Sequence, residues 1–247
     1  MTILYEGPSL LDGKPIVAIM VGDGKRKSIN EKTGAMAQVY IIRSDIPPVQ
    51  AAKSGEDVSI CGACPHRHST GGSCYVNVGQ GPRAIYEAYK RGHYERNDAR
   101  TAGFEQDIRI GAYGDPGAVP MKVWWDLIMF ANSWTGYTHQ HQLSGDLMGI
   151  NMASADSREE AIALQAKGWK TFRVKTPEEP LIRKEILCLN ETNGVKCKDC
   201  GICDGRTANV AINIHGTVGK IHNFKKWALN DKISNKNAQL GATTSQT

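Results

Sequence analysis

Apolar residues run without a break from Ile16 to Val21, and after the polar, basic stretch Asp23 to Gly34 a second apolar run returns from Met36 to Ile42. Two such runs of strand length predict a β-hairpin near the start of the chain. Ile46-Pro47-Pro48 ends it, and Val58-Ser59-Ile60 leads into a group of cysteines. A rhythm of alternating elements follows. Within Pro82 to Tyr94, Ala84, Ile85, Ala88 and Tyr89 recur at helical spacing, with Pro82 suited to the first turn. Asp107 to Gly111 reads as a strand. Val119 to Asn132, carrying Trp124, Trp125, Leu127, Ile128 and Phe130, reads as a helix apolar enough to pack on two sides. Trp134 to Thr138 and Leu147 to Met152 read as strands. The next helix runs from Asp156 to Lys167, with Asp156 or Ser157 as N-cap and Gly168 as its stop. Lys170 to Lys175, Glu185 to Leu189 and Asn209 to Ile214 complete the series of strands.

Strands alternating with helices at this spacing predict an α/β fold with a mainly parallel sheet and right-handed crossovers. About six such units predict a partial (β/α)6-type barrel over residues 51–229, preceded by the hairpin extension at 1–50. Each strand ends in polar residues, and barrel enzymes build their sites at the C-terminal ends of their strands. From 230 to 247 the chain is mostly Lys, Asn, Gln, Ser and Thr, and this tail is expected to be disordered.

Composition narrows the function classes. The 247 residues are 40% hydrophobic and 22% charged, which excludes general disorder. The Ile16 to Val21 run is far shorter than the roughly 20 residues that span a bilayer, so no membrane partner is expected. The first residues lack the basic and apolar regions of a signal peptide, and the cytoplasm is the expected location. A net charge of +5 is mild and compatible with nucleic acid without requiring it. Lys25, Arg26 and Lys27, with Lys220, Lys225, Lys226 and Trp227, are the candidate contacts for such a partner. A solvated surface is the competing meaning of these short runs.

Seven cysteines are an odd number for a disulfide framework, and reducing conditions would keep them as thiols. They fall into two groups. Cys188, Cys197, Cys200 and Cys203 supply four thiolates, and the repeated two-residue spacing of the last three matches the way ferredoxins wrap a [4Fe-4S] cluster. Zinc is the alternative metal, since four-cysteine zinc sites are common. Cys61, Cys64 and Cys74 supply three thiolates, which on a four-iron cluster leave one iron open to a cofactor or substrate. Here the alternatives are a zinc site completed by His66 or His68, or a closed structural cluster. Gly71, Gly72, Gly79 and Gly81 allow close backbone approach, and Arg67 and Arg83 add positive charge.

Other polar residues at strand ends are candidate groups. His139 and His141, two apart after a strand, are expected to face one side as acid/base groups or ligands. Asp115, before Pro116, is a candidate acceptor for a ligand ammonium or the start of a turn. Arg173 and Lys175 alternate with Phe172 and Val174, and both are expected to point into the barrel toward a carboxylate, phosphate or cluster. His215, beside Gly216, is a candidate substrate contact.

The segments Cys61-Gly62-Ala63-Cys64-Pro65-His66-Arg67 with Gly72-Ser73-Cys74-Tyr75-Val76, Gly114-Asp115-Pro116, Trp134 to Gln140, Cys197 to Cys203 and His215-Gly216 resemble those of an uncharacterised family of bacteriophages and bacterial mobile elements, over residues 10 to 225. A phage origin would place the protein in the host cytoplasm. More distantly, the predicted architecture resembles that of radical SAM enzymes. That resemblance implies a three-cysteine [4Fe-4S] cluster holding S-adenosylmethionine, a second, auxiliary cluster and an electron donor as partner. It implies cofactor-binding roles for Gly111, Tyr113, Gly114 and Asp115 after the second strand and for Asn151 and Ser154 near the ribose; Arg173 and His215 join them as cofactor contacts on their strand positions alone. The spacing Cys-x2-Cys-x9-Cys departs from that superfamily's usual Cys-x3-Cys-x2-Cys. The rival class is a zinc- or cluster-stabilised protein without catalytic activity that binds nucleic acid or a protein partner.

Overall fold

The structure is a computed structural model that describes residues 1–23, 30–143 and 145–230. Ten strands form one sheet: β1 (Thr2–Pro8), β2 (Pro15–Val21), β3 (Ala37–Arg43), β4 (Glu95–Arg96), β5 (Asp107–Tyr113), β6 (Ser133–Thr138), β7 (Met152–Ala155), β8 (Thr171–Lys175), β9 (Glu185–Leu187) and β10 (Asn209–Asn213). Their order is β4-β1-β2-β3-β5-β6-β7-β8-β10-β9. The pairs β1/β2 and β2/β3 are antiparallel, and every pairing from β3 to β9 is parallel. The sheet is open, with β4 and β9 at its ends. The expected hairpin is therefore β2 and β3, and β3 continues directly into the parallel strands.

The strands form where the sequence offers apolar runs or strict alternation. Ile16 to Met20 of β2 are wholly buried, as expected for a strand covered on both faces. In β8 burial alternates, with Thr171, Arg173 and Lys175 buried and Phe172 and Val174 half-buried. Of the shorter elements, α1 (Pro48–Ser54), α2 (Val58–Cys61), α3 (Gly81–Lys90), α4 (Ala99–Gly103), α5 (Met121–Ile128), α6 (Arg158–Ala166), α7 (Leu189–Asn193) and α8 (Cys197–Cys200) cover the sheet or carry the cysteines. Ser157 caps α6, its hydroxyl accepting from the Glu160 backbone N–H at 3.1 Å. Trp124 of α5 is fully buried in the main core and donates to the Pro116 carbonyl at 2.9 Å.

Two expectations need correction. The segment from Leu147 to Met152 is not a strand: Gly145–Leu147 is a 3-10 turn, Gly149 has φ +83°, and the strand begins at Met152. Leu147 and Ile150 are apolar because they fill the core from that turn. The hairpin expected over 1–50 also gains a third strand, since Thr2–Pro8 forms β1 against β2. A further helix, α9, covers 218–230. The tail at 231–247 and the basic segment Lys25 to Lys27 lie outside the described residues. No helix among the described residues is long and apolar enough to cross a membrane.

Candidate metal centre

All seven cysteines line one cavity of about 600 Å³. Alternate residues of the parallel strands form its wall, among them Tyr40 of β3, Arg109 and Tyr113 of β5, Tyr137 of β6 and Phe172 and Val174 of β8. Cys61 ends α2, the second short helix after β3, and Gly62 (φ +54°) reverses the chain so that Cys64 can return its N–H to the Cys61 carbonyl at 3.2 Å. The Cys74 N–H reaches the His66 carbonyl at 2.9 Å, closing the loop. The other group hangs between strands. The Cys188 N–H bonds the Ala211 carbonyl of β10 at 2.8 Å, the Cys197 N–H bonds the Lys32 carbonyl at 3.0 Å, and the Cys203 carbonyl accepts from Gly136 of β6 at 3.3 Å.

The thiols sense one another as the same two groups. Burial first, then the nearby charges of Cys64 and Cys74, push the Cys61 thiol well above its usual value. Burial, followed by the charges of Cys197, Cys188 and Cys200, pushes Cys203 up to about 12, although a hydrogen bond from Tyr137 opposes the shift. Groups that resist ionising together in a dry wall are stabilised as thiolates by a cation. Their separation also bears on which one. A tetrahedral zinc with Zn–S near 2.3 Å needs sulfurs about 3.8 Å apart. Among the described residues, the trio whose ligand atoms all lie within 4.8 Å of one another is His66, His139 and Asp156, and no three thiols do so. The cysteine groups are thus more open than a single ion requires.

Two polar groups on the cavity wall have no hydrogen-bond partner. The Tyr113 hydroxyl is buried without one, and burial together with the charges of Cys61, Asp57 and Cys74 raises its pKa. Arg109 Nε is also buried without one, close enough to Cys197 to favour its thiolate. Unpaired buried donors facing clustered thiols suit an anionic or sulfur-rich occupant.

The other expected residues are sorted by the structure. Gly111 (φ +69°) and Gly114 (φ +80°) serve the backbone: a Cβ on Gly114 would stand 2.6 Å from the Ile41 carbonyl oxygen. Asp115 is no free acceptor. Its Oδ1 takes the Gly117 N–H at 2.8 Å and the Thr138 hydroxyl at 2.7 Å, and its Oδ2 takes the His139 N–H at 2.7 Å, so it braces the ends of β5 and β6. Ser154 lines the cavity, and so does His215, whose ring stacks on Tyr75 with centroids 4.6 Å apart. Asn151 does not line it. It is fully buried against Gly136 and Gly205, with neither amide atom hydrogen-bonded.

His139 and His141 do not share a side. His139 faces the cavity, whereas His141 lies 3.4 Å from Glu160 of α6 and beside Trp169. Arg173 is also corrected: Phe172 and Val174 face the cavity, and Arg173 points away into a fully buried pair with Glu185 at 2.7 Å. The carboxylate partner that its burial demanded is a residue of β9. Lys175 points the same way, donating to Asn213 Oδ1 at 2.9 Å. His68 is exposed, so it is not placed to complete a site with the cysteines. Trp227 of α9 packs edge-on against His66, with centroids 5.0 Å apart.

Sequence reasoning missed the group that joins the two halves of the cavity. Asp156, weighed only as a cap, accepts from His66 Nε2 at 2.8 Å and His139 Nε2 at 3.2 Å through its Oδ1. Burial opposes ionisation of Asp156, but the charge of His139 and the two imidazole hydrogen bonds hold its carboxyl well below the usual range. Burial likewise opposes charge on His139, yet Asp156 and Cys64 raise it well above an ordinary imidazole. The available signal was positional, since both His139 and Asp156 directly follow strands. Comparison with family models, curated proteins and solved structures returns no match, so function rests on this geometry.

Proposed function

We propose that this chain is an iron-sulfur enzyme of radical SAM-like type. In this reading Cys61, Cys64 and Cys74 hold one [4Fe-4S] cluster, and Cys188, Cys197, Cys200 and Cys203 hold a second. The observation that carries it is that all seven thiols line one cavity, with no three of them within 4.8 Å of one another as a single ion would draw them. The open sheet is read as a partial barrel. Laid flat, six strands from β3 to β10 would span roughly 24 Å. Residues from all six nonetheless line one cavity of about 600 Å³, as the concave side of a curved sheet would.

Bound at the three-cysteine site, such a cluster supplies single electrons and one iron open to S-adenosylmethionine. The protein's own contribution is position and dryness. Phe172, Val174, Val210 and Ile212 give the cavity an apolar flank that excludes water. The Tyr113 hydroxyl, near Cys61 and Cys74, is a donor free to serve an occupant of the three-cysteine site, and the Arg109 guanidinium offsets negative charge at Cys197. Ser154 and His215 offer hydrogen bonds to a small-molecule ligand at the same cavity. An electron donor is the partner this chemistry requires.

The reconstituted protein tests the enzyme reading. Adding S-adenosylmethionine to the reduced protein is expected to change the EPR spectrum of one cluster, and Cys74→Ala is expected to abolish that change. An unchanged spectrum, with no heat of binding, contradicts it.

A further inference from the structure

We propose that His66, His139 and Asp156 form a binding site for a single divalent transition-metal ion, distinct from the thiolate sites. His66 Nε2, His139 Nε2 and Asp156 Oδ1 converge within 4.8 Å of one another. They come from three separate places: the cysteine loop, the end of β6 and the end of β7. Two imidazoles and one carboxylate on one side, with the remaining positions open, is the donor set of mononuclear iron(II) centres, and it also accepts cobalt(II) or zinc(II). All three residues border the cavity, which leaves the open positions to water or an oxygen-donor ligand.

The surroundings are those of a built site. The three side chains are 12%, 21% and 10% exposed, so each has been taken largely out of water. Ser73, itself buried, lies 2.6 Å from His66 Nδ1 and fixes that ring with Nε2 toward Asp156. A partner on the far nitrogen is what orients a ligating histidine. The backbone of His139 is fixed in turn by Asp115 Oδ2. Phe224 and Trp227 of α9 pack against the His66 ring and shield it on another side. Cys64 Sγ is 4.0 Å from His139 Nε2 but does not join the group whose ligand atoms all lie within 4.8 Å of one another, so an ion held by the trio would neighbour the three-cysteine site. This inference rests on the trio and stands whether or not the thiols hold iron.

Cobalt(II) is the probe. The full chain is purified anaerobically, its iron and sulfide are measured, loosely held metal is removed with a chelator, and cobalt(II) is titrated while absorption and EPR are recorded. One cobalt per chain is expected, with high-spin signals of nitrogen and oxygen ligation and no thiolate-to-cobalt charge transfer. Asp156→Asn and His139→Gln are each expected to weaken binding at least about tenfold. His68→Gln, on the exposed part of the same loop, is expected to bind as the parent does. Iron and sulfide should be equal in all four proteins. No cobalt binding, binding unaffected by both substitutions, or a thiolate charge-transfer band would overturn the site. So would loss of iron and sulfide together with cobalt in the variants, since the trio would then brace the cysteine loop. A parent chain that lacks iron and sulfide but still binds one cobalt would sink the cluster reading and leave this one standing.

Discussion

His66 and Asp156, 90 positions apart, meet at 2.8 Å and tie the cysteine loop to the end of β7. His139 binds the same oxygen at 3.2 Å, and each of Asp156 and His139 favours the charged form of the other. The raised value of His139 means that its contribution to stability is full below the ordinary imidazole value of 6.5 and fades as pH rises through the raised one. The lowered value of Asp156 means that its contribution is full above 3.8 and fades as pH falls through the lowered one. The difference in urea midpoint between the metal-free parent and Asp156→Asn should therefore be widest between about pH 4 and 6.5 and narrow above that window. A difference constant across pH would mean that Asp156 and His139 do not meet as charges.

Arg173 and Glu185 are both fully buried and joined at 2.7 Å. Arg173→Met leaves the Glu185 carboxylate without its cation and is expected to cost about 3–5 kcal/mol, read from chemical denaturation. Adding Glu185→Leu should recover much of that loss. If Arg173→Met instead unfolds like the parent but loses a ligand, the residue serves the cavity after all.

Gly62 sits between Cys61 and Cys64 with φ +54°, and its Cβ would collide with the Gln140 side chain, which bonds the Cys61 carbonyl at 3.1 Å. Gly62→Ala is expected to add strain of about 1–3 kcal/mol in this loop. Iron at the three-cysteine site should fall while the four-cysteine site keeps its own, as separated by EPR. Equal loss from both sites would show that the two loops are not independent.

Much of the sheet was legible because β2, β5, β6, β8 and β10 carry apolar runs or alternation bounded by Gly, Asn or Pro. β1 was not, since Thr2-Ile3-Leu4-Tyr5-Glu6-Gly7-Pro8 mixes polar and turn residues and becomes a strand only by pairing with β2. The direction of Arg173 was also hidden: alternation shows that it opposes Phe172, but only the position of Glu185 decides which face is which. The cysteines were legible as one neighbourhood, since their tight spacing in two groups marks them as a set and all seven line one cavity. The His66, Asp156 and His139 trio was not, because nothing in a one-dimensional pattern joins a loop to the ends of two later strands.

Two four-iron clusters on the seven cysteines fix how much iron and acid-labile sulfide the anaerobically purified chain must carry. About eight of each per chain are expected, falling to about four in Cys74→Ala and about four in Cys200→Ala. Stoichiometric zinc with no labile sulfide would contradict it.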